Sequence, residues 1–182
     1  MQNPVIVTKR LYLRETTAAD AAVMFALNSD KEVLRYTGDK PFLSVEEAAT
    51  FLANYTAFKH TGMGRWAVVR KTDDAVLGWC GLKLHTNGMV DLGFRLFKKE
   101  WNKGYATEAA YACLKYGFDH LNLKEIVGRV VPANLASIKV LEKLGMHFSH
   151  MDRDEDCHDE RISIYTITHE DFRRNKSLST GR

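Results

Sequence analysis

Cysteine is scarce in this chain of 182 residues: Cys80, Cys113 and Cys157 are its three, an odd number with no CxxC pair among them. That pattern excludes a disulfide framework and zinc-ribbon spacing, and it points to a reducing, cytoplasmic setting. No run approaches the roughly 18 apolar residues of a membrane span, and the apolar stretch in MQNPVIVTKR is too short for a secretion signal. Charge of one sign is lacking as well. The 26 lysines and arginines are scattered among 23 acids for a net charge of +3, with no basic stripe interleaved with aromatics. A nucleic-acid partner is therefore not expected; a basic nucleic-acid module would be retained on heparin or DNA and released steeply by salt. Neither GxGxxG nor GxxxxGKS/T occurs, so the two standard nucleotide fingerprints are missing. Repeats, low-complexity tracts and linker-like breaks are missing too.

What is present is an ordinary globular balance. The chain is 45% hydrophobic and 27% charged, enough for one sizeable core in one domain. Thr8 to Thr16 alternates apolar and polar residues as a half-buried strand does. Thr17, with Asp20 three residues on, resembles a capping box and opens a helix whose face carries Ala21, Met24, Phe25 and Asn28. A second helix begins at Ser44 with Glu47 as its capping partner, and Ala48, Phe51, Leu52 and Tyr55 form its apolar stripe. Gly62 and Gly64 end it. RWAVVR, AVLGWCGLKL and MVDLGFRLF then read as an antiparallel meander, with Asn87-Gly88 as a hairpin turn between the last two. Gly93, inside the third strand, suggests a bulge or a close approach of backbone.

The order next becomes helix (GYATEAAYACLKYGFDHL), buried strand (KEIVGRVV), helix (NLASIKVLEKLG) and two strands (MHFSHM and RISIYTIT). Asn134 is the expected cap of the second of these helices, and Gly145 its stop. The whole reads β-α-α-β-β-β-α-β-α-β-β, a mixed α+β domain over residues 1–172 with a flexible tail at 173–182.

The stretch KKEWNKGYATEAAYACLKYGF, from Lys98 to Phe118, carries the chemistry. The first turn of a helix leaves about four amides without partners and bears roughly half a positive charge. With a strand ending at Phe97 and a helix beginning near Gly104, the amides of Asn102, Lys103, Gly104, Tyr105, Ala106 and Thr107 can converge on one anion. Gly104 permits close approach, and Lys103 adds a flexible point charge. The alternative is a strand-to-helix turn in which glycine only shapes the chain.

DLGF on a strand, EWNKGYATEAA, and NLASIKVLEKLGMHF after a buried strand together resemble the GNAT superfamily of acyl-CoA-dependent N-acetyltransferases. TKRLYLRETTAADAAVMFALNSDKEVLRY resembles the branch containing the ribosomal-protein-alanine N-terminal acetyltransferases. The likeness spans about Thr8 to Phe172. It implies a mixed, mostly antiparallel sheet flanked by helices, with acetyl-CoA as cosubstrate. The family's phosphate turn, Arg/Gln-x-x-Gly-x-Gly/Ala, corresponds to Trp101 through Ala106, Trp101 being the departure from pattern. The anion implied is the diphosphate of coenzyme A. Asn134 and Ser137 match the family's N-x-x-S, in which asparagine holds the pantetheine arm and serine lies near the sulfur. In the family the strand carrying Phe94 and Leu96 is bulged and splays from its parallel neighbour, here Glu125 to Val131, so that its backbone pairs with the pantetheine.

Acetyl transfer to an amine requires loss of an ammonium proton, a donor for the oxyanion, and an acid for the thiolate. Direct transfer in a ternary complex needs no protein nucleophile, so Cys80 and Cys113 read as core residues. Asp91 is the first candidate base, followed by His85 and Glu15; a two-residue hairpin places His85 and Asp91 on opposite faces of the sheet. Ordered water is an alternative to any single base. Relatives carry an acidic tyrosine seven residues after the motif asparagine, where this chain has Leu141, so Ser137 is the candidate acid. Asp152, Asp154 and Asp156 imitate the spacing of EF-hand ligands, but Cys157 stands where glycine is needed and Ser163 where the bidentate glutamate belongs, so no metal is expected. The acceptor is an amine, either a protein N-terminus or a small molecule, met by loops at Lys31 to Leu43 and Asp152 to Glu160. A monomer or homodimer is expected. A non-catalytic acyl-CoA sensor is the alternative function.

Overall fold

The computed structural model describes residues 3–154 and 160–179. Its strands form one sheet: β1 (Ile6–Val7), β2 (Leu11–Arg14), β3 (Arg65–Arg70), β4 (Val76–Leu84), β5 (Val90–Leu96), β6 (Glu125–Val130), β7 (His147–Asp154) and β8 (Glu160–Thr168). Their spatial order is β1-β2-β3-β4-β5-β6-β8-β7. Every neighbouring pair is antiparallel except β5 and β6. This is the mixed α+β architecture expected, with a mostly antiparallel sheet between helices.

Both faces of the sheet are covered, and β3 shows how the sequence arranges it. Trp66 and Val68 pack with the cluster under α5 (Tyr105–Asp119) and α6 (Leu135–Lys143). Ala67 and Val69 pack with α1 (Ala21–Ser29), α2 (Lys31–Leu34) and α3 (Val45–Asn54) on the other side. The two-residue period of a strand distributes one apolar run between two cores. Full burial of a side chain such as Trp66 on the α5 face or Leu27 on the α1–α3 face is worth on the order of 2–3 kcal/mol, so each face contributes.

The helix starts follow their capping residues. Thr17 and Asp20 form a capping box despite the shorter acid, at a 3-10 turn leading into α1. Arg14 grips the Asp20 carboxylate with two bonds of 2.8 and 2.7 Å. Ser44 Oγ accepts from the Glu47 amide at 3.2 Å to start α3.

Elements beyond the sequence reading are β1, α2, α4 (Ala57–Thr61) and α7 (His169–Ser179). These are short or polar, and their formation depends on packing: Phe172 of α7, for example, is buried against Phe118 and Tyr111. The chain is thus helical past Phe172 to Ser179.

Two local expectations change. The β4–β5 register is unbroken from Gly78↔Leu96 to Leu84↔Val90, so there is no bulge at Gly93 relative to β4. The irregularity lies between β3 and β4, at Val68/Val69. Gly93 is needed for another reason: a Cβ there would come within 2.3 Å of Arg65 Nη1, because the Arg65 side chain lies across it. The hairpin also closes differently. The His85 amide bonds Met89 O at 2.8 Å, and the Gly88 amide bonds His85 O at 2.9 Å. The loop is therefore Thr86-Asn87-Gly88, three residues with Gly88 left-handed at φ 85, rather than two.

Candidate active site

The site begins with a fork. β5 and β6 run parallel, yet one residue pair, Asp91 and Val127, bridges them. β5 is laddered to β4 and β6 to β8 along their lengths, so each strand is satisfied on its outer side. Past Asp91 the two strands part, and the β5 backbone through Phe94 and Leu96 has no partner in β6. The side chains of Phe94 and Leu96 pack toward α5, leaving the main chain to face the gap. An unpaired edge of this kind takes up an extended ligand as an added strand.

At the carboxyl end of β5 the chain makes a 3-10 turn at Lys98–Glu100 and then enters α5. Trp101 Nε1 donates to Leu96 O at 2.8 Å, and buried Glu100 receives Arg70 at 3.2 Å and Lys103 Nζ at 3.0 Å. These contacts pin the turn from beneath. Asn102 and Gly104 are both left-handed, at φ 59 and 78. Left-handed backbone at two positions just before a helix start can turn neighbouring amides toward one side, as an anion-binding concavity requires. The first helical bond is Glu108 N to Gly104 O at 3.0 Å. The amides of Asn102, Lys103, Gly104, Tyr105, Ala106 and Thr107 donate to no acceptor among the described residues. Unmatched donors at the positive end of a 15-residue helix fit a diphosphate.

The other arm of the fork ends at α6. Asn134 Oδ1 accepts from the Ser137 amide at 3.1 Å, so it caps the helix as expected. Its Nδ2 group has no partner among the described residues and remains a donor at the start of α6. Ser137 sits half-buried on the same first turn.

On the α1–α3 face of the sheet a chain of polar side chains crosses Gly93. Arg65 Nη2 donates to Asp91 Oδ2 at 2.6 Å and Nη1 to Gly81 O at 2.8 Å. His85 Nε2 is 3.7 Å from the same Asp91 oxygen, is buried, and makes no hydrogen bond. The guanidinium of Arg65 also lies 5.1 Å from the Trp79 ring, and that of Arg95 lies 5.2 Å from it. Arg95 in turn donates to Asn28 at 2.7 Å and pairs with Asp39. Burial pushes the Asp91 carboxyl up, but Arg65 beside it, helped by His85, outweighs this and holds it below the usual carboxylate range.

The predicted residues thus fall into two groups. Phe94 and Leu96 lie on the β5 arm, Asn102 through Thr107 lead from it into α5, and Asn134 and Ser137 follow the β6 arm at the start of α6. Asp91 and His85 come together on one face, contrary to the two-residue hairpin, because the extra loop residue shifts the pairing by one and turns His85 over. Glu15 does not join them. It follows β2, three strands from β5, and shares a small hollow with Tyr55, Phe58, Arg65 and Trp66. Lys103, expected as the free point charge, is tied to Glu100.

Leu141 is 2% exposed and packs on Gly128, where a Cβ would come within 2.8 Å of it, so this position offers no acid. Cys80 and Cys113 are buried with their sulfurs 3.7 Å apart, and burial followed by Cys80 pushes the Cys113 thiol well up. Both are core residues, not nucleophiles. Asp156 and Cys157 of the EF-hand-like run lie outside the described residues, as does most of the Asp152 to Glu160 loop. The same holds for residues 180–182 of the tail. Among the described residues no helix is long and apolar enough to cross a membrane.

Arg65, Trp79 and Arg95 were missed by sequence reasoning. The signal available was Gly93 within a strand, a glycine that makes room for a side chain. Arg10 was also missed, and no local pattern marks it.

Residues 10–147 match the family described as the acetyltransferase (GNAT) domain, and the chain belongs to it. That membership makes it an N-acetyltransferase of the GNAT class. The uncharacterized N-acetyltransferase p20 of Bacillus licheniformis is 34% identical over 165 residues, covering 88% of this chain and 93% of its own. The crystal structure of a GNAT-family acetyltransferase from Bacillus anthracis superposes with a TM-score of 0.77 at 28% identity, covering 91% of this chain and 98% of the other. A ribosomal-protein-S5-alanine acetyltransferase from Vibrio fischeri gives a TM-score of 0.76 over 91% of this chain and 97% of its own. At 18% identity that last likeness is one of fold.

Proposed function

We propose that the protein is an acetyl-CoA-dependent N-acetyltransferase that passes an acetyl group directly to a primary amine within a ternary complex. The single observation carrying this is the fork: a β5 edge left unpaired past Asp91 leads to a turn of unmatched amides around Gly104. In this reading the turn holds the diphosphate, Asn134 Nδ2 and the β5 backbone hold the pantetheine arm, and bound acetyl-CoA supplies the thioester acyl group. The Phe94 region of β5 offers main-chain donors to the oxyanion.

His85 takes the base role ahead of Asp91. A base must be free to accept a proton, and Asp91 is held as an anion against Arg65. Asp91, 3.7 Å from Nε2, stabilises the charged imidazole once the ammonium proton has arrived. As the C–N bond forms and the C–S bond breaks, Ser137 is the candidate donor to the departing sulfur. The acceptor is a protein N-terminus, as in the ribosomal-protein-alanine branch, or a small-molecule amine.

One observation favours the second reading, a non-catalytic acyl-CoA sensor: the position of the relatives' acidic tyrosine is occupied by buried Leu141. Incubation with acetyl-CoA and a panel of amines and N-terminal peptides, following free thiol, separates the two. Acceptor-dependent thiol release supports the transferase; binding of acetyl-CoA without it supports the sensor.

A further inference from the structure

A side-chain cation beside the unmatched amides would strengthen their hold on a diphosphate, and Lys103 is paired with Glu100 in this structure. Its ammonium lies 3.0 Å from Glu100, a carboxylate 4% exposed that also holds Arg70. A different cation lies at the turn. Arg10, from the segment between β1 and β2, is distant in sequence and is brought there by Glu108 in the first turn of α5. Glu108 accepts from the Arg10 amide at 2.8 Å, from Arg10 Nε at 2.6 Å and from Thr8 Oγ1 at 2.7 Å. Burial pushes the Glu108 carboxyl up, but Thr8 and Arg10 outweigh it, so the carboxylate stays ionised and the clamp stays charged.

The rest of the Arg10 side chain is placed just as firmly. Nη1 donates to Lys103 O at 3.0 Å, and the guanidinium lies 4.5 Å from the centre of the Tyr105 ring. Nη2 comes within 3.3 Å of where a Cβ on Gly104 would stand, and it has no acceptor among the described residues. The side chain keeps 43% of its surface exposed, so solvent and a ligand can reach it next to Gly104. A guanidinium held at Nε and Nη1, with Nη2 free beside unmatched amides, is preorganised for phosphate oxygens.

We propose that Arg10 completes the diphosphate site, both bracing the Lys103–Tyr105 turn and donating from Nη2 to the diphosphate of the acyl donor. This rests on the coenzyme A reading above. The clamp also offsets the repulsion that the Glu108 carboxylate would otherwise exert on a nearby anion.

The test compares two donors in the full-length protein, acetyl-CoA and S-acetylpantetheine, which carries the same thioester without the diphosphate. Arg10→Ala is expected to lower the ratio of kcat/KM for acetyl-CoA to that for S-acetylpantetheine about tenfold, the worth of one charge-assisted hydrogen bond. The loss should reside in KM for acetyl-CoA, and Arg10→Lys should recover only part of it. Lys103→Ala should lower the same ratio less than threefold. An unchanged ratio in Arg10→Ala overturns the proposal. So does an equal loss on both donors, which marks a purely structural brace, or a larger effect from Lys103→Ala. Should wild type bind no acetyl-CoA by calorimetry, the coenzyme reading itself fails and the proposal falls with it; the ratio fails only when wild type binds and Arg10→Ala binds equally well.

Discussion

The two working regions of this molecule are made of different material. The turn from Asn102 to Thr107 presents main-chain amides, set by two left-handed residues and a helix start. The face around Gly93 presents side chains, with His85, Asp91, Arg65 and Trp79 drawn from three strands and one hairpin. A main-chain site depends on a few consecutive residues and tolerates changes of side chain. A side-chain site depends on register and on a buried ion pair, so one misplaced residue changes its chemistry. Binding and catalysis should therefore fail separately under substitution.

The largest effect is expected from His85→Gln. Loss of a general base costs about a hundredfold or more in kcat/KM, with the acetyl-CoA dissociation constant unchanged within about threefold. Steady-state kinetics with a responsive amine, beside calorimetry, checks both halves; a loss of cofactor affinity equal to the loss of rate would erase the contrast between the regions.

Next is Arg65→Met, which leaves Asp91 buried without its cation. It should cost about 3 kcal/mol of stability in denaturant unfolding, because an uncompensated buried carboxylate is costly. Asp91→Asn sharpens the same point through pH. The folded-state pKa of Asp91 is depressed, so the stability it contributes is fully present above its unfolded value of about 4 and is lost as pH falls through the folded value. The melting-temperature gap between wild type and Asp91→Asn should be widest near neutral pH and narrow below about pH 4. A gap independent of pH would mean that the ion pair contributes nothing.

Gly104→Ala should act in the opposite sense to His85→Gln. At φ 78 a side chain costs roughly 1 kcal/mol, and the added carbon would crowd Arg10 at 3.3 Å. Acetyl-CoA affinity should fall about tenfold while kcat at saturating donor changes little. The smallest effect is expected from Asn134→Ala, which removes the cap of α6 for about 1 kcal/mol of stability and a severalfold loss in acetyl-CoA affinity.

The contrast also explains what could be read from sequence. The strand and helix order, the start of α5 and the cap at Asn134 are local patterns, each written within a few residues. His85 was assigned to the wrong face because Asn-Gly signals a two-residue turn, whereas Thr86 is included in the loop. Arg65 reaches Asp91 from 26 residues away and Arg10 reaches Glu108 from 98, and no short motif encodes either contact. The helical span of α7 was missed because its sequence is polar and its burial hangs on Phe172.

The central claim is that the gap between β5 and β6 and the amides beyond it form one acyl-CoA site. A crystal structure of the protein grown with coenzyme A tests it most directly. The account predicts diphosphate oxygens within about 3 Å of amides in the 102–107 turn and the pantetheine lying along β5 past Asp91. Coenzyme A bound elsewhere, with those amides facing only water, would contradict it.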